Sequence, residues 1–113
     1  MAMKSVVSFE LGGVPYARIY LEGDGPEEVE HELEAFFDDF ESQSQEQHPF
    51  ADPNYVGAAF VVWQALRRAK DPSKPLAFQG LSVVVDEPED VACRFRLERA
   101  VFEHPKVEME EVG

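Results

Sequence analysis

The side chains able to do chemistry are few and do not converge. Glu28 and His31 stand in the string Glu28-Val29-Glu30-His31, a Glu-x-x-His spacing that sends both ligands inward in di-iron helix bundles. The chain holds no second copy. His31 also falls away from the phenylalanine stripe of its own helix, so the pair reads as solvent-facing polar residues. His48 and Asp52 border a loop with no further ligand beside them, and no metal or other cofactor is expected. Cys93 alternates with core residues on a strand, which makes it a buried, inert thiol; Arg94 and Arg96 adjoin it in sequence but point to the other face. Gly-x-Ser-x-Gly, the P-loop and the dinucleotide fingerprint are missing. Gly12-Gly13 is turn chemistry, since no helix follows it to cradle a phosphate, and Trp63 with Phe60 reads as core packing. With no acid, base or nucleophile set in view, an enzyme is the least supported class.

Two patterns point to binding instead. Glu27, Glu34, Asp38 and Glu41 line one edge of the first helix, with Glu30 beside them. Glu30 with Glu34, and Glu34 with Asp38, are like charges four residues apart, and Asp38, Asp39 and Glu41 sit toward the negative end of the helix dipole. Local helix stability does not explain them. They form either a solvated face that serves solubility or salt adaptation, or a docking face for a basic protein. Carboxylates four residues apart rise by about 6 Å along the axis, so the row could imitate phosphates and occupy a nucleic-acid site on a partner. Tyr16, Arg18 and Tyr20 alternate on one face of a strand. Tyr and Arg are favoured interface anchors, so this row, with the outward arginines of the last strand, is a candidate second contact surface.

The elements that position these residues are legible. Ser5–Leu11 and Val14–Glu22 read as strands joined at Gly12-Gly13 in a type I′ or II′ turn, with Phe9 opposite Tyr16, Ser8 opposite Ala17, and room for a bulge in the first strand. Asp24-Gly25-Pro26-Glu27-Glu28 opens a helix with a cap, a proline and acids at the positive dipole end. Val29, Leu33, Phe36, Phe37 and Phe40 give it a core stripe, and it fades across 42–47. Asp52-Pro53 opens a second helix running to Lys70; its middle is apolar nearly all round, which predicts burial on more than one side. After the loop 71–75, Leu81–Val85 reads as a strand with a bulge at Gln79-Gly80, 86–90 as a connector, and Val91–Glu98 as a half-buried antiparallel strand. Residues 104–113 read as a fraying tail or a short edge strand.

The expected fold is therefore α+β in the order ββααββ: an antiparallel sheet made of two β-hairpins, with both helices on one face. A length of 113 residues fits a single domain spanning 1–113, and nine phenylalanines argue for a folded core rather than a disordered chain. One cysteine excludes an internal disulfide framework, and no apolar run is long enough for a leader or a membrane span, so a cytoplasmic setting is expected. The net charge is −13, and residues 19–66 hold twelve acids without a single Lys or Arg. That sign repels nucleic acid and anionic lipid. The expected function is a non-enzymatic acidic binding or regulatory protein that docks a basic protein surface, as a nucleic-acid mimic or inhibitor in its strongest form. The alternative is a structural or homo-oligomeric domain whose acidity serves only solubility.

Overall fold

The computed structural model describes residues 4–23, 25–44, 48–71, 80–84, 91–99 and 103–111. Strands β1 (Lys4–Leu11) and β2 (Val14–Glu22) are followed by helices α1 (Pro26–Gln43) and α2 (Pro53–Lys70), then β3 (Leu81–Val84), β4 (Cys93–Glu98) and β5 (Lys106–Glu111). The fold is α+β, but the sheet is mixed and has five strands in the order β3-β2-β1-β4-β5. The two-hairpin antiparallel arrangement expected from the sequence is not formed. β3 and β4 lie on opposite sides of the first hairpin: β3 pairs antiparallel with β2, and β4 pairs parallel with β1. After the first hairpin each of its strands has one free edge. Helix α2 crosses the β2 side, so the chain leaving it meets the edge of β2, and β4 takes the edge of β1. The tail segment Lys106–Glu111 is an edge strand, antiparallel to β4.

Gly12 and Gly13 have φ of 62° and 78°, the left-handed conformations that a type I′ turn needs at both central positions. The register shifts between Phe9 and Glu10 because Tyr16 is an extra residue on β2, so the bulge lies in the second strand and not, as expected, in the first. Phe9 is therefore opposite Ala17 and Ser8 opposite Arg18, one residue away from the pairing an unbroken hairpin would give.

Helix α1 begins at Gly25 as N-cap, with Pro26 in the first turn and Glu27 and Glu28 at the positive dipole end. Asp24, the expected cap, lies outside the described residues, as do 45–47, 72–79 and 85–90. Val29, Leu33, Phe36 and Phe37 are buried, with Phe40 only partly covered. On α2 the expected cap is in place: Asp52 Oδ1 accepts from Asn54 N at 3.0 Å and Tyr55 N at 3.4 Å. Both helices cover the sheet face carrying Val7, Phe9, Ile19, Leu21, Cys93, Phe95 and Leu97. Rings lock the layers together, with Phe60 5.7 Å from Phe9 and 5.1 Å from Phe36, contacts worth about 0.5–1.5 kcal/mol each beyond their buried area. No helix among the described residues is long and apolar enough to cross a membrane.

The expectation that α2 is buried on several sides is corrected. Val62 is 60% and Leu66 61% exposed, because the helix lies on the outside of a two-layer fold and only one of its apolar faces meets the sheet. That contact is close. A Cβ on Gly57 would fall 2.7 Å from Ala17 Cβ and 3.4 Å from the Phe9 ring. Gly57→Ala would gain about 1 kcal/mol in helix propensity, but the clash meets a backbone-fixed methyl and costs about 1–3 kcal/mol. A net loss of stability in urea unfolding is expected; a stabilised variant would contradict this packing.

Candidate functional site

The expected acidic row lies on the flank where α1 meets β5. Glu27, Glu30, Glu34, Asp38 and Glu41 are all exposed. On β5 the register sets Glu111, Met109 and Val107 opposite Cys93, Phe95 and Leu97, and so on the sheet face that carries α1. Glu27, Glu28, Glu30, Met109 and Glu111 line a concavity of about 500 Å³ between the start of α1 and β5. Met109 is 41% and Val107 40% exposed, so apolar side chains adjoin the carboxylates. At the far end of α1, His104 binds Glu41, stands 3.9 Å from Asp38 and rests on the rings of Phe37 and Phe50. That contact ties the chain entering β5 to α1. The sequence offered α1 as one half of this surface; the acids of β5 could not be added without knowing that the tail pairs with β4.

The opposite side of α1 forms a groove with α2. Its volume is about 500 Å³, and its walls include Phe36, Phe40, Tyr55, Val62, Trp63 and Leu66. Trp63 Nε1 donates to Asp39 Oδ2 at 2.9 Å, and Arg67 lies over the indole at 5.6 Å. Beneath the groove Glu32 is 2% exposed. It accepts from Gln64 Nε2 at 3.2 Å, and its Oε1 forms an ion pair with Arg67 Nε at 2.9 Å. Arg68, also 2% exposed, donates to the Glu22 carbonyl at 2.9 Å. Sequence reasoning missed this polar set; Glu32 lies four residues before Phe36, and that spacing was the signal.

The Tyr16, Arg18 and Tyr20 row is split. Tyr16 is the residue the bulge leaves without a partner in the ladder, and it lines a hollow with Asn54 and Gly57 of α2. Arg18 and Tyr20 pair with Ser8 and Val6, and Arg18 shares a second hollow with Arg94 and Arg96.

Among the described residues no three His, Cys, Asp or Glu side chains gather as a metal site requires. Cys93 is buried on the helix side of β4. Burial pushes its thiol above the ordinary range, and the Glu111 carboxylate across the ladder adds to the rise. Compared with known proteins, the chain matches no family model, no curated protein and no solved structure.

Because the native thiol keeps its proton to higher pH than the unfolded one, this group's contribution to stability is lost as pH rises through the thiol range. Iodoacetamide is expected to alkylate Cys93 much more slowly in native than in urea-unfolded protein at neutral pH. Mass spectrometry over time checks this, and equal rates would contradict the burial.

Proposed function

We propose that the protein is a non-enzymatic binding module that docks a basic, partly apolar segment of another protein along the α1–β5 flank. The observation supporting this is the concavity in which Glu27, Glu28, Glu30 and Glu111 surround the half-exposed Met109. Like charges gathered across two elements oppose folding, and a partner's cations offset that repulsion. Among the described residues β5 is also a sheet edge, one side of which pairs with no other strand. An extended segment can add to such an edge, its backbone supplying affinity and its alternate side chains selectivity. An inhibitor that occupies a nucleic-acid site is the sharpest form of this reading.

The test is fluorescence anisotropy with a labelled peptide of alternating Lys and Leu. Binding is expected to fall about tenfold or more on going from low to high salt. It should fall similarly when Glu30, Glu34 and Glu111 are replaced by Lys, and hold when Glu10, Glu22 and Asp71, which lie off α1 and β5, are reversed instead. Equal losses in the two variants would reduce the flank to general charge and end the proposal.

A second reading, self-association, draws on a different observation. Residues 53–66 carry no charge, and Tyr55, Val62 and Leu66 are each more than half exposed. Burying a Val or Leu side chain contributes about 1.5–3 kcal/mol. A two-fold pairing of α2 with α2 would bury these side chains against their copies without bringing like charges together along 53–66. Light scattering is expected to give a dimer that Val62→Lys with Leu66→Lys converts to monomer; a wild-type monomer at high concentration would remove this reading.

A further inference from the structure

The sheet face away from the helices carries its own site. Val6 and Ser8 of β1 point there, opposite in sense to Val7 and Phe9, and are 1% and 4% exposed. No described helix packs on this face. Among the described residues, the long side chains of Arg18, Tyr20, Arg94 and Arg96 occupy the register positions beside these two. By register Ser8 has Arg18 beside it on β2 and Arg96 beside it on β4, while Arg94 flanks Val6. Neighbouring strands are about 4.8 Å apart, so two guanidinium-bearing residues bracket one hydroxyl from either side, with a third one step away.

These side chains enclose a concavity of about 360 Å³ whose lining includes Val6, Ser8, Glu10, Arg18, Arg94 and Arg96. Ser8 Oγ is fully buried and has no hydrogen-bond partner among the described residues. A buried hydroxyl without a partner costs about 1–3 kcal/mol, a cost that a valine, as at Val6, would avoid. Glu110 holds Arg94 at 2.8 Å and stands 3.9 Å from Arg96. It orients these arginines from the β5 side and does not line the concavity. The overall charge of −13 repels anions at long range, so an anion held here is held by local contacts.

We propose that this hollow binds a small-molecule oxyanion, a phosphate or carboxylate head held between Arg18 and Arg96 and accepting from the Ser8 hydroxyl. Guanidinium forks match both heads in geometry and charge. Glu10 lies two residues further along β1, about 7 Å away, and faces the same hollow. The preferred ligand therefore carries a hydroxyl or ammonium donor at that distance from its anionic head. This chemistry is independent of the acidic α1–β5 flank, and either can fail without the other.

The test is a ¹H–¹⁵N titration of the whole chain with inorganic phosphate, glycerol 3-phosphate and malate. Saturable shifts centred on Ser8, Arg18 and Arg96 are expected, and the strongest arm tells phosphate from carboxylate. Arg96→Gln and Arg18→Gln should each weaken binding about tenfold or more, and Ser8→Ala should weaken it without loss of the folded spectrum. Lys70→Gln, which removes a cation elsewhere, should leave affinity unchanged. No saturable shift with any of the three probes would overturn the site. So would shifts that persist in both arginine variants, or equal weakening by Lys70→Gln.

Discussion

Everything in this fold hangs on a central strand buried on both faces. Val6, Val7, Ser8 and Phe9 of β1 are all nearly inaccessible, and a strand in that position needs cover above and below. Above, the phenylalanines of α1 and α2 supply it. Below, Arg18, Tyr20, Arg94 and Arg96 are the register neighbours of Val6 and Ser8 among the described residues, and the arginines bring charge with them. The same strand accepts an antiparallel neighbour on one edge and a parallel one on the other, which places β5 along the flank of α1 and β3 beside α2. Each surface with a claim to function follows from that single placement.

The charges are sorted by this architecture. The acids of residues 19–66 crowd onto α1, and β5 adds Glu111 on the same flank. The arginines of β2 and β4, though few in a chain this acidic, gather on the opposite sheet face. Between these two regions α2 shows a long uncharged surface. Glu10 and Glu110 stand among those arginines, so that face carries both signs while the α1 flank carries mainly one. The proposals made for the acidic flank and for the arginine face rest on these separate regions.

Much of the local structure was legible in the sequence. Paired glycines announced the first turn, Asp52-Pro53 the start of α2, and the alternation from Val91 to Leu97 a strand with one buried side. Partner choice was not, because a strand of four to eight residues encodes which face is apolar but not which edge it will join. Leu81–Val84 fits the edge of β2 as well as that of β4, and only the path of α2 over the sheet decides. The bulge at Tyr16 likewise moved Ser8 opposite Arg18, and the parallel register of β4 set Arg96 on its other side. For that reason the anion hollow could not be read from the chain, although its arginines were noted. Helical periodicity marked α2 as apolar all round, but it cannot say which apolar face finds a neighbour. Glu32 looked like one more surface acid until its closeness to Gln64 and Arg67 was seen.

The most direct test of this account is the pairing of β4, measured by nuclear Overhauser contacts between strands. The account predicts parallel contacts of Val7 with Phe95 and of Ser8 with Arg96, and antiparallel contacts of Ile19 with Val83. Contacts between Val83 or Val84 and residues 93–97 would contradict it. They would return the sheet to two hairpins, separate Arg96 from Ser8, and remove β5 from the flank of α1.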